Sequence, residues 1–199
     1  MTAILKVDTI QDTAGNNIIN EASDVITIGA SGDTIALAGT TVTGITQGIT
    51  EADQFRLTAD ISNPSGDISS NLERVDDATF AKIGTGMTES SGIYTFPSTG
   101  LYLVTLITQT TAINDAAMVV TMQSSSNSGT SYDDIANSMS GIASGSINVT
   151  MSIGTFVNVT NASTFRVKFA SSSFASGTLK GDTSKTETGF TFIRLGNSQ

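Results

Sequence analysis

Cysteine, histidine and tryptophan are all missing from these 199 residues. The first two absences exclude disulfide stapling, thiolate nucleophiles, imidazole-ligated metals and Ser-His catalysis. A chain without cysteine is compatible with any redox compartment and identifies none. Proline is nearly absent at two residues, charged residues make up only 14% of the chain, and no apolar heptad runs through it, which removes the usual basis for a coiled coil. Cations are scarce as well: nine Lys and Arg against eighteen acids leave a net charge of −9. A phosphate backbone needs clustered Lys and Arg, so nucleic acid is not an expected partner. No apolar run is long enough to span a bilayer, and Lys6 and Asp8 stand where the apolar core of a secretory leader would run. The expectation is therefore no membrane insertion, no conventional leader, and release from a cell by lysis.

What remains is rich in Gly, Ser and Thr, with nineteen glycines, a composition of many short strands joined by tight turns. A chain of this length buries roughly two-thirds of its unfolded surface and supports one domain with an appendage. Residues 4–19 read as strand, polar turn and short strand, with Asp12, Gly15, Asn16 and Asn17 as turn formers. A calcium loop shares that composition but not the regular acidic spacing. Across residues 24–50 the apolar pieces become very short and are punctuated by Gly29, Gly32, Gly39, Gly44 and Gly48. Such pieces need copies of themselves alongside, as in a shaft of three intertwined chains, or else form a flexible linker. Aromatic residues begin only at Phe55. From there strands are expected at 55–61, 80–83, 93–96, 101–104, 118–122, 132–139, 147–159, 165–169 and 189–195, an all-β sandwich or jelly roll.

Residues 92–104, GIYTFPSTGLYLV, hold the most informative pattern: two β-rich runs on either side of a Pro97-Ser98-Thr99-Gly100 corner. The order Tyr94, Phe96, Pro97, Gly100, Tyr102 resembles the signature of the globular head of complement subcomponent q, a jelly roll related to tumour necrosis factor. TFRVKFAS and TGFTFIRLG look like that family's last two strands, so the resemblance covers most of 51–196. It implies a homotrimer, with Tyr94, Phe96, Tyr102, Phe190 and Phe192 near the threefold axis. The chain lacks the collagen repeats of animal members. Its opening, KVDTIQDTAGNNIINE, is similar instead to the start of fibre proteins of marine bacterial viruses. The organisation expected on these grounds is a virion-attachment hairpin over 1–22, a Gly/Thr-rich shaft or linker over 23–50 and a jelly-roll head over 51–199.

Acidic pairs at Asp76-Asp77, Asp133-Asp134 and Asp182/Glu187 show no convergence in sequence, so no catalytic residue, cofactor or metal is expected. Asn148, Asn158 and Asn161 open Asn-x-Ser/Thr triplets of the kind that arise by chance in such a chain. Strand directions counted back from the last strand put the connections 112–116, 140–146 and 171–188 at the end far from the shaft, with 124–131 and 160–164 at its base. Asn114, Asp115, Thr178, Lys180, Asp182 and Lys185 are then candidates for a receptor-facing tip. The functional expectation is a bacteriophage virion or tail fibre that binds a host-surface glycan or protein through its head and other virion proteins through residues 1–49. A head-decoration or connector protein is the alternative, with a small polysaccharide depolymerase behind it.

Overall fold

The computed structural model describes residues 9–11, 13, 17–22, 25–28 and 48–199. The chain divides into two compact units, Met1–Thr46 and Gln47–Gln199. In the first, β1 (Thr9–Gln11) and β2 (Asn17–Ala22) form an antiparallel hairpin, and β3 (Val25–Ile28) adds a third strand beside β2. Asp12, Gly15 and Asn16 lie outside the described residues, as do 23–24 and 29–47 of the shaft or linker expected over 23–50.

The second unit is all β among its described residues. Its strands are β4 (Ala52–Leu57), β5 (Ile61–Ser62), β6 (Gly66–Asp67), β7 (Leu72–Arg74), β8 (Thr88–Ser90), β9 (Ile93–Thr95), β10 (Gly100–Ile113), β11 (Met118–Ser125), β12 (Asp133–Ser140), β13 (Ser146–Val159), β14 (Arg166–Ser172), β15 (Thr178–Leu179) and β16 (Gly189–Gly196). They form two antiparallel sheets of a jelly-roll sandwich. In one, β13 lies along one side of β10 while β16 and β15 follow each other along its other side, continued by β4 and β5 and then β7. In the other the order is β12, β11, β14, β9, β8, with β6 also against β14.

Alternation decides which side chains meet between the sheets. Along β10, Tyr102, Val104 and Leu106 point inward and are buried, whereas Leu101, Leu103 and Ile107 face outward. The same alternation continues past Val104 with threonines, and for that reason β10 runs to Ile113 rather than ending where its apolar residues thin out. Thr108 and Thr110 are fully buried; the Thr110 hydroxyl donates to Thr108 Oγ1 at 3.2 Å, and Thr108 donates to the Met151 carbonyl at 3.3 Å. Hydroxyls paired in this way can occupy a core without the penalty of an unmade hydrogen bond.

The sheets are joined by an aromatic cluster. Tyr94 of β9 meets Phe55 of β4 edge-on at 5.1 Å between ring centroids, and Phe192 and Phe190 of β16 at 4.9 and 5.8 Å. Phe169 of β14 closes the group against Phe190 at 4.8 Å. Offset and edge-on pairs each add about 0.5–1.5 kcal/mol beyond the area they bury. The corner before Tyr94 depends on Gly92, whose φ of +80° and 2.3 Å approach of an added Cβ to the Ile68 carbonyl leave no room for a side chain.

Three departures from the sequence reading have local causes. Residues 80–83 form a loop joined to the sheet by an Ala52–Ile83 bridge, and Ile83 is exposed. Strands β7, β8 and β15 are two or three residues long, too short to show an alternation. The stretch 171–188 is not free of strand, because β14 continues to Ser172 and β15 pairs with both β10 and β5.

The Tyr94 hydroxyl is buried without a hydrogen-bond partner among the described residues, and burial drives its pKa far above the usual phenol value. Tyr94→Phe removes an unsatisfied group and keeps the ring contacts. It is expected to raise stability by about 1 kcal/mol, while Tyr94→Ala lowers it by about 3–5 kcal/mol, read as shifts in the urea midpoint at constant slope.

Candidate functional site

The five aromatics expected at a subunit interface are all spent on the chain's own interior. Tyr94, Phe96, Tyr102, Phe190 and Phe192 are at most 2% exposed within a single chain. A ring already out of water in its own subunit supplies no area to a neighbour, and this corrects the expectation that placed them there. Tyr102 also donates to the Ser98 carbonyl at 3.0 Å and stacks near Phe96 at 4.8 Å. The apolar surface left outside belongs to their alternate partners. Phe156 of β13 is 63% exposed, and on the same outward face its cross-strand neighbours are Leu103 of β10 and, beyond it, Ile193 of β16 and Ala52 of β4. Ile107 is exposed on that face too. On the flank where β12 meets β13, Ile135, Met139 and Ile147 are exposed.

Hydrogen bonds bring parts of the connections 112–116, 140–146 and 171–188 together at one end of the second unit. Asn114 donates its backbone N–H to the Gly145 carbonyl at 3.0 Å, and Ile142 to the Asp115 carbonyl at 2.7 Å. Asp115 in turn accepts the N–H groups of Ala175 and Ser176, the latter at 3.0 Å, so these three connections meet on one residue. At the other end the Ser128 N–H reaches the Thr164 carbonyl at 2.8 Å, and the chain enters beside Arg194, whose Nη1 donates to Thr50 Oγ1 at 3.2 Å.

Of the tip candidates, however, several are committed internally. Asp115 is 1% exposed and cannot face a receptor. Thr178 sits inside β15 between two strands, and Lys180 pairs with Asp60. The segment after β15 turns down the side of the sandwich: the Lys180 N–H bonds the Gln109 carbonyl and the Asp182 N–H the Leu57 carbonyl, both at 2.9 Å. Asp182 Oδ1 accepts the Ser184 N–H at 2.7 Å, and Lys185 meets Glu187 at 2.8 Å. Asn114 is exposed at the end, with φ +54° and its Oδ1 accepting the Gly145 N–H at 2.8 Å.

Buried charges that sequence reading missed hold these loops. Arg56 is fully buried and donates to Glu73 at 2.7 Å, to Asp76 and Asp77 at 2.8 Å, and to the Thr183 carbonyl. Burial alone would lower its pKa, but Glu73 and Asp77 raise it overall. Asp76 and Asp77, one of the acidic pairs noted in the sequence, are thereby tied to a cation. Asp134 accepts from Gln123 at 2.6 Å. No group of three potential metal ligands occurs among the described residues.

A third surface is a groove of about 480 Å³ between β7, the border of one sheet, and β8, the border of the other. Phe55, Leu72 and Met87 line its apolar part; Glu73, Arg74, Lys82, Thr85, Thr88 and Glu89 supply the polar part. Arg74 is fixed in place by buried Asp53, to which Nε donates at 2.9 Å and Nη2 at 3.0 Å, and by the Met87 carbonyl at 2.6 Å; it lies 4.9 Å over the Phe55 ring.

In fold the second unit is similar to Eiger TNF from S. frugiperda, at a TM-score of 0.59 and 12% identity over 74% of this chain and 94% of that one. It is similar also to murine APRIL, in the crystal structure at pH 5.0, at a TM-score of 0.53 and 12% identity over 73% of this chain and 98% of that one. The fold is thus a TNF-like jelly roll; at that identity the likeness is one of fold. No family model matches the chain, and no curated protein does.

Burial alone would raise the Asp115 pKa, but N–H groups of Ile113, Ala175, Ser176 and Gly177 outweigh it and hold the carboxyl below its ordinary value. A folded pKa below the unfolded one gives stability that is present above about pH 3.9 and lost as pH falls through the folded value. Asp115→Ala should therefore destabilise the head by about 2 kcal/mol at pH 7, and the difference from the native chain should shrink in urea titrations between about pH 4 and pH 2.

Proposed function

We propose that the chain is the subunit of a homotrimeric virion fibre of a bacterial virus, with its TNF-like unit as the receptor-binding head. The observation that carries this reading is β13. Its fourteen residues, SINVTMSIGTFVNV, contain neither charge nor proline. One side pairs with β10 throughout, and although β12 of the other sheet packs near β13, no described strand is hydrogen-bonded to its other side. Monomers protect such borders with Lys, Pro or bulges, because an uncharged edge beside exposed apolar groups recruits other chains. Here the cover is a second copy.

Two different apolar surfaces adjoin β13. One is the sheet face of Leu103, Ile107, Phe156 and Ile193; the other is the flank of Ile135, Met139 and Ile147. Face against flank is a head-to-tail contact, which closes into a ring when the rotation is threefold. Trimerisation suits a recognition head because weak contacts repeated three times add through effective concentration. Residues 1–49, with five acids against Lys6 and no aromatic residue, serve as the link to other virion proteins, and their similarity to viral fibre openings supports a place on the tail or capsid. A host-surface glycan or protein is the partner of the head. The engagement of Asp115, Thr178 and Lys180 within the chain favours one other reading, a decoration protein that trimerises without touching the host.

Phe156→Asp places a charge at the centre of the proposed contact, where about 1,000 Å² or more must be buried. Light scattering is expected to give a trimer for the native chain and a monomer for the variant, with unchanged strand content by circular dichroism. A native monomer sinks the proposal. Host-cell adsorption by the native trimer supports adhesion over decoration, and its absence reverses that choice.

A further inference from the structure

From the groove between β7 and β8 we infer a binding site for a neutral saccharide, an inference that rests on the adhesive reading above and moves recognition from the tip to the side of the head. The groove carries Glu73 and Glu89 against Arg74 and Lys82, so its formal charge is zero and it favours neither an anion nor a cation. Its polar groups are half used. Glu89 gives Oε1 to the Gly92 N–H at 2.7 Å, and Glu73 gives Oε1 to Arg56 at 2.7 Å; the Oε2 of each has no partner among the described residues. Arg74 bonds through Nε and Nη2 and leaves Nη1 without a partner among them, with the side chain 38% exposed.

Two carboxylate oxygens and one guanidinium nitrogen, each on a side chain already held by another bond, form a preorganised set of acceptors and donors. Vicinal hydroxyls, which donate and accept at once, match such a set without bringing a charge to be neutralised. Thr85 and Thr88 add hydroxyls at the rim, while Leu72 and Met87 offer an apolar patch for the C–H face of a sugar ring. The volume of 480 Å³ lies in the range of small-ligand sites. By contrast, the far end of the head has Asp115 buried and Lys180 paired.

Two variants test this without disturbing the fold. Thr85 is exposed on a loop, and only its backbone carbonyl is used, by Lys82, so Thr85→Trp fills the groove. Glu89→Gln keeps an oxygen for Gly92 and replaces the free acceptor by a donor. The full-length chain is applied to a printed array of neutral oligosaccharides (hexose, deoxyhexose and N-acetylhexosamine) beside acidic ones (uronate, sulfate, sialate). The native protein should bind neutral members, and each variant should lose about tenfold or more in apparent affinity, at unchanged mass by light scattering. Equal binding by Thr85→Trp overturns the site, and binding confined to acidic members, or to none, overturns the ligand class. Failure of the native chain to trimerise or adsorb to host cells overturns the adhesive reading instead, and the array still decides the groove.

Discussion

Packing of Tyr94 against Phe55, Phe190 and Phe192 is the contact on which the head depends. It joins β9 of one sheet to β4 and β16 of the other, and Phe169 extends it across β14. Four of the nine phenylalanines and one of the three tyrosines are concentrated there. With no tryptophan and no disulfide available, the rest of the core is the Phe96–Tyr102 pair and smaller Val, Leu, Ile, Met and Ala side chains, so this cluster sets the spacing of the two sheets. Its cost is one buried hydroxyl left without a partner.

Once the sheets are set, buried charges set the loops. Arg56 gathers residues 73, 76, 77 and 183, Asp53 positions Arg74 and the Met87 N–H, and Asp115 draws three connections together. Each charge is saturated by several hydrogen bonds, the condition under which a buried ion is tolerated. The consequence for function is one of elimination. Most acids and bases of the far end and the side loops are occupied in holding the chain together, so free chemistry is left on the outward sheet face, which is apolar, and in the β7–β8 groove, which is polar and neutral.

The long strands β11 and β13 were legible from their uncharged, β-branched and apolar runs, Tyr94, Phe96, Pro97, Gly100 and Tyr102 mark the central corner, and β10 was legible only in its first apolar part. Which face of an aromatic strand looks inward was not legible: Tyr102 and Leu103 are neighbours in sequence, and only the partner sheet decides that the tyrosine is core and the leucine is outside. The five aromatics expected near the threefold axis belong to the core of one subunit. The buried roles of Arg56, Asp53 and Asp115 leave no local pattern, because most of their partners stand 17 to 127 residues away. The groove was missed for a related reason, since β7 and β8 are three residues each and meet only in three dimensions.

The account turns on whether Phe156 is covered by another copy of the chain. Because the protein contains no tryptophan, Phe156→Trp introduces a single fluorophore at that point, in a ring-for-ring exchange on an outward-facing position. The decisive measurement is its emission and acrylamide quenching in the full-length protein. A blue-shifted emission poorly reached by quencher, turning red and accessible as the protein is diluted below its association range, is the predicted result. Red, freely quenched emission at every concentration contradicts it.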